Sequence, residues 1–345
     1  MTILQKSTSL AAAATVAVAT FAGPAAANGG EVNLYSYRQE FLIRPLLDAF
    51  TKDSGIKVNV QYVKGGILKR MQAEGEDSAV DAVLTADIAT LRQHVEADTF
   101  QAVKSDVLAA NIPAQYRHPD GKWFGLTVRA RVIVHSNARV KPGEITRYED
   151  LTDPKWKGRI CTRSSGHVYM KSLLASIIAA KGEDAAQQWA SGVKANLARK
   201  PQGNDRAQVK AIWQGECDVA LINTYYIGAM RHNEAEPVQK EWAAAIDVVF
   251  PNQDDRGTHV NISGAGVAKH AKNRANAIRL IEFLSSDKAQ SYYAASNYEY
   301  PVKPGVEWDP EVASWGKFKA DDTDLWKIAE LVPQAVLIYD RAGYR

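Results

Sequence analysis

Cysteine is scarce in this 345-residue chain, with only Cys161 in GRICTRSSG and Cys217 in GECDVALIN. The seven histidines are scattered, with no pair spaced to share one face of a helix. Together these shortages leave no soft-thiolate or imidazole cluster of the kind zinc or copper prefers. Long apolar runs are missing too. The stretch Leu10 to Ala22 is too short to span a bilayer, and no later segment reaches the length required. The charge is nearly balanced, 42 Lys and Arg against 39 Asp and Glu, with no concentrated basic run. That argues against a general nucleic-acid or membrane-surface binder. Enzyme signatures are absent as well: there is no G-x-S-x-G, no H-E-x-x-H and no phosphate-cradling loop of the Walker type. The SGAG at 263–266 is too short for a dinucleotide fingerprint.

What is present begins with an export signal. Lys6 gives a positive start, the apolar stretch follows, and Ala25-Ala26-Ala27 offers a small-residue cleavage site. Residues 1–27 therefore read as a secretory signal peptide, with no cysteine beside the cut to carry a lipid. The remaining chain is long enough for two lobes, each with its own core. An oxidising compartment favours a disulfide between Cys161 and Cys217, with two separate buried thiols as the alternative.

Along the chain, strands and helices alternate. Strands are expected at 31–36, 56–63 and 82–85, with helices over 41–54, 67–74 and 87–97 between and after them. This pattern predicts an α/β lobe on a mostly parallel sheet. WFGLTVRARVIVHS (123–136) is one long β-rich stretch suited to crossing between lobes, and HVNISGAGVAKHA (259–271) could cross back. Between them lie strands at 159–162 and 218–223 and helices over 169–180, 183–196 and 205–214. Helices over 274–284 and 286–295 follow, then a loop over 298–310 and a last helical region. The expected division is a first lobe of 28–128 and 262–345 and a second of 129–261. Two crossings imply a cleft between the lobes, and ligands of open α/β sheets sit beyond the carboxyl ends of strands.

Tyr225 and Tyr226 stand at such an end. In a continuing strand their phenols would face opposite ways; if the chain turns at Asn223-Thr224 into a helix, both can face the cleft. With Tyr169 and Tyr37 they form a hydroxyl-rich set. A phenol ionises only near pH 10, but a hard, highly charged cation stabilises the phenolate. Three phenolates would neutralise a 3+ ion such as ferric iron. Ring burial with one hydrogen bond explains the same tyrosines equally well, so the residues alone leave both readings open.

A resemblance extends this. LYSYRQ, WFGLTVRARVIV, GRICTRSSGHVYMKSLLA and GECDVALINTYYIGAM together resemble the periplasmic ferric-iron-binding proteins of ABC importers, in order and over nearly the whole exported chain. The resemblance implies a type II two-lobe periplasmic binding protein fold, two α/β lobes joined by two crossover strands around a cleft. It implies Fe³⁺ as the transported ligand, held by Tyr169, Tyr225 and Tyr226, and an inner-membrane ABC permease as partner. The protein would be periplasmic, monomeric and not an enzyme. Many relatives carry a His or Tyr ligand after the first motif; here Arg38 is followed by Gln39 and Glu40, so Tyr37 is the candidate from that lobe. A synergistic anion such as carbonate would be held by Arg129, helped by Gln39 or Arg38. Arg131 and Arg163 read as surface or structural arginines. Cys161 and Cys217 each precede a proposed ligand by eight residues, so a disulfide would tie the two ligand-bearing segments together. The rival readings are a metal-free binder of small organic or inorganic anions anchored on Arg129, and an exported hydrolase using Ser164 or Ser165.

Overall fold

The computed structural model describes residues 30–63 and 65–344, so the expected signal peptide lies outside the described residues. Nine strands are present among them: β1 Glu31–Ser36, β2 Lys57–Tyr62, β3 Ala82–Thr85, β4 Phe124–Ser136, β5 Ile160–Cys161, β6 Val219–Asn223, β7 Ile246–Val249, β8 Val260–Val267 and β9 Tyr300–Pro301. Their path runs β2-β1-β3-β8-β4-β6-β5, with β7 and β9 also pairing β4. The sheet is mixed rather than mostly parallel. β1 pairs β2 and β3 in parallel, as does β5 with β6, while β8 and β4 pair antiparallel with all their neighbours. The reason is the route of the chain: the two long crossing strands run against the local α/β units on either side of them.

β4 is buried along its whole length. Its first half, Phe124 to Ala130, pairs with β8; its second half, Arg131 to Ser136, lies between β6 and β7. One strand thus belongs to two sheet regions, and the backbone between Ala130 and Arg131 is where they meet.

The Glu40–Ser54 helix buries Ile43, Leu46, Leu47 and Phe50 at helical spacing and ends on Gly55, whose φ of 70° favours a residue without a Cβ. The two helices expected over 169–196 are continuous from Val168 to Ala195 except at Gly182, where φ 83° and ψ 171° break the helical path. The loop expected over 298–310 contains β9, which pairs Tyr300 with Val128. The Val332–Arg341 helix and Tyr344 close against the Val168–Ala195 helix: Tyr339 donates to the Met170 carbonyl at 3.1 Å, and the Tyr344 and Thr162 hydroxyls meet at 2.9 Å.

Cys161 and Cys217 form a disulfide with their Cα atoms 5.9 Å apart. It pins the end of β5 to the approach to β6. Closing a loop of this length stabilises the fold by about 4 kcal/mol in the chain-entropy model.

Candidate metal centre

β6 is fully buried and delivers its end, Asn223, to a carboxylate. The Asn223 backbone N–H donates to Asp205 Oδ1 at 3.0 Å, and the Thr224 N–H donates to the Ala130 carbonyl at 3.1 Å. Thr224 takes helical angles, and the helix Tyr225–Arg231 begins at once. Both phenols therefore leave the first turn of a helix, and their ring centres lie 4.3 Å apart. From the other segment, the Val168–Ala195 helix starts at a residue capped by His167, whose Nδ1 accepts from the Tyr169 N–H at 3.3 Å. Tyr169 then meets Tyr225 hydroxyl to hydroxyl at 2.9 Å. The sequence expectation that the chain turns at Asn223-Thr224 matches this geometry.

These side chains line a cleft of about 340 Å³. Tyr37, Arg38 and Gln39 line it as well, along with Arg163, His167 and Arg206. Burial raises the Tyr37 pKa, and backbone groups of Ile67 and Leu68 partly offset this by favouring the ionised form. Gln39 is exposed at the start of its helix. Arg38 is buried and forked onto Glu299, with Nη2 to Oε2 at 2.6 Å and Nη1 to Oε1 at 3.0 Å. Burial opposes its charge, and the Glu299 carboxylate more than offsets this, raising its pKa further.

Arg129 is not among the residues that line the cleft. It is 1% exposed, donates to the Ala86 carbonyl and to Ser263 Oγ (3.2 Å), and sets its guanidinium carbon 5.6 Å from the Tyr169 ring centre. Ser263 also accepts from Arg38 at 2.9 Å, so one hydroxyl ties both arginines together. Arg131 and Arg163 are structural in the strict sense, both paired with the fully buried Asp205. Burial would raise the Asp205 pKa, but the two guanidinium groups hold it below the usual carboxylate range. Sequence reasoning missed Asp205, Ser263 and Glu299. Asp205 follows an Asn that caps its helix, a signal that explains the helix and hides the ion pair. Glu299 sat in an apparent loop.

The electrostatics follow from this frame. Burial is the largest cause that lifts the Tyr225 phenol well above its ordinary range; the neighbouring Tyr169, Tyr226 and Asp205 add to it, and Arg129 opposes. Tyr226 is raised chiefly by burial and then by Tyr169 and Asp205. Without a cation these phenols stay protonated at neutral pH. Guanidinium groups of Arg129, Arg131 and Arg163 surround the Tyr169 ring at 5.6, 5.7 and 5.2 Å, and Arg206 stands 5.8 Å from the Tyr226 ring. An anionic cluster is thus well accommodated, provided a cation displaces the protons. Among the described residues no group of three or more His, Cys, Asp or Glu side chains could hold a metal ion, so the phenols are the concentrated hard donors.

The serines offered for a hydrolase are engaged locally. Ser165 donates to the Tyr344 carbonyl, and Ser164 Oγ accepts from the Gly166 N–H at 3.2 Å.

An α/β sheet crossed by one strand shared between two regions, with a polar cleft at a strand end, suits a protein that binds a solute between two lobes. The chain belongs to the bacterial extracellular solute-binding protein family, whose pattern matches residues 78–327. It is 48% identical to iron uptake protein A1 of Synechocystis over 316 residues, covering 91% of this chain and 88% of the relative. The structure superposes on the apo ferric ion-binding protein A of Pasteurella haemolytica with a TM-score of 0.87 at 48% identity, covering 91% of this chain and 98% of the other. A Trichodesmium protein in complex with iron and citrate ligands superposes with a TM-score of 0.87 at 41% identity, covering 92% and 100%. The fold is the type II two-lobe binding fold of these ferric-binding proteins.

Proposed function

We propose that this protein captures ferric iron in the periplasm and delivers it to an inner-membrane ABC permease, without catalysing a reaction. The observation that carries the reading is the hydroxyl contact of 2.9 Å between Tyr169 and Tyr225, with the Tyr226 ring beside it. Core packing does not call for phenol oxygens from two separate segments to meet at a cleft. The relatives' ferric-iron and iron-uptake descriptions support the same cargo. In this reading Tyr169, Tyr225 and Tyr226 are tyrosinate ligands and Tyr37 is the contribution from the facing lobe. Arg38 and Gln39, which line the cleft, favour a small synergistic anion, carbonate or another, beside the iron, and Arg129 supports it by its positive charge from behind the Tyr169 ring. The lobes are 28–128 with 262–345, and 129–261; the shared strand β4 supports that division, and the closing helix braces the second lobe. The exported chain works as a monomer and is not inserted in the membrane.

The test is a metal analysis and visible spectrum of purified protein after ferric loading. Tyrosinate–iron absorbs in the visible, so the protein should be coloured and carry iron. Tyr225→Phe and Tyr226→Phe keep ring shape and delete the oxygen. Each should lose or shift the band and release iron to a chelator much faster. If packing were the only role, each would cost about 1 kcal/mol of stability for the missing hydrogen bond and leave iron retention intact. A colourless protein that binds small anions without iron would favour the metal-free anion binder.

A further inference from the structure

A second cavity shares no lining residue with the phenol cleft. It is a cleft of about 600 Å³, open to solvent, between the turn around residues 114–123 and the segment 320–326, with Val260 at the start of β8 on its wall. Its volume falls in the range of small-molecule sites. The wall is aromatic: the His118 ring stands edge-on to both Trp123, at 6.3 Å, and Trp326, at 5.4 Å. Trp123 is 3% exposed, and its indole N–H finds no acceptor among the described residues. Two carboxylates at this cavity, Asp322 and Asp324, are exposed and enter no ion pair among the described residues, whereas Asp321 is neutralised by Arg256. Arg117 is the positive lining group; its Nε is committed to the Ile112 carbonyl at 3.0 Å. Burial lowers the His118 pKa, which keeps the ring neutral and acceptable as an aromatic wall.

From this we propose a second binding site, for a small aromatic ammonium compound. Its ring would lie against the aromatic wall that His118 and Trp326 present, and its cationic end would face Asp322 and Asp324. Aromatic walls and unpaired carboxylates together select a cation with a flat body. Anions meet two carboxylates there and should be rejected. The 320–326 segment pairs with residue 258 through Ala320 and is held by the Arg256–Asp321 ion pair, so the site touches chain that leads directly into the crossing strand β8. The proposal is independent of the iron reading.

The probe is tyramine, titrated calorimetrically into iron-free protein, with tyrosine and 4-hydroxyphenylacetate as the zwitterionic and anionic arms. Tyramine should bind saturably, tyrosine more weakly and 4-hydroxyphenylacetate not measurably. The double variant Asp322→Asn/Asp324→Asn should weaken tyramine about tenfold; asparagine preserves the helix cap that Asp324 supplies to Trp326, so the fold is spared. Trp326→Ala should weaken it comparably, with Tyr225→Phe as a location control that leaves it unchanged. No saturable tyramine binding, equal binding of all three compounds, or unchanged affinity in the carboxylate variant would each overturn the site. Binding lost in Tyr225→Phe but retained in Trp326→Ala would place the ligand in the phenol cleft instead and overturn it equally.

Discussion

The Tyr225 and Tyr226 phenols carry protons that an incoming ferric ion must displace, since burial keeps both neutral. Iron loading near neutral pH should therefore release about one proton per phenol ligated. The release is measurable with an indicator dye in weak buffer, and Tyr226→Phe should lower it by about one; an unchanged count would remove Tyr226 from the ligand set. Buried histidines contribute to the acid sensitivity of the iron-free protein. His94 and His259 are buried and held neutral by desolvation, with pKa values pushed down to about 4 and about 3; nearby arginines add to the effect at His259. Above the ordinary histidine value near 6.5, neither state takes up a proton at these rings. Below it the unfolded chain binds protons that the folded one refuses, so stability falls as pH drops toward those lowered values. The slope is about 1.4 kcal/mol per pH unit for each histidine. Urea midpoints should fall between pH 7 and pH 5, less steeply in His94→Gln. A flat profile would mean that both rings accept protons when folded.

At the scale of elements, the helix that bears both tyrosines is set by a close approach. A Cβ on Gly228 would stand 2.4 Å from Cγ of Tyr298 and 2.9 Å from its Cβ, near the root of that side chain, where a rotamer change gives little relief. Tyr298 is itself fixed in a left-handed turn with φ 57°. Gly228→Ala should push the Tyr225–Arg231 helix away from the 298 segment. Its expected signature is iron release to a chelator faster by about tenfold, roughly 1.4 kcal/mol, with the visible band kept because no phenol is deleted. An unchanged release rate would show that this contact does not set the ligands. The elements easiest to read in the sequence were those with a long apolar period: the Glu40–Ser54 helix, the buried run of β4, and β6 ending in Asn223. Short ones escaped. The Asp106–Asn111 and Val238–Ala244 helices and strands β7 and β9 span too few residues for a period to show. The site divided along the same line. The paired tyrosines stood out beside one strand end, but the Glu299 fork onto Arg38 joins residues 261 apart, and nothing local to either announces it.

For the whole molecule, the shared strand makes Ala130–Arg131 the natural pivot between the two sheet regions. Closure over iron should then draw the regions together about that point. Small-angle scattering is expected to show a smaller radius of gyration for iron-loaded than for iron-free protein. The difference should vanish in Tyr225→Phe, and equal radii in the wild type would argue for a cleft that binds without moving.

The pairing of β3 with β8 carries a different consequence, for the order in which the chain can be assembled. Thr85 meets Gly264, and Ala82 meets Val267, so the edge of β3 stays open until the chain has been supplied as far as β8. The β5–β6 pair and its disulfide need nothing beyond Asn223. A chain threaded out from its amino end thus pairs the strands of its tyrosine-bearing region while its first sheet still waits with bare backbone donors and acceptors, the form most prone to pairing with another chain. A fragment ending at residue 259 should accordingly aggregate, and adding the remaining segment in trans should suppress that.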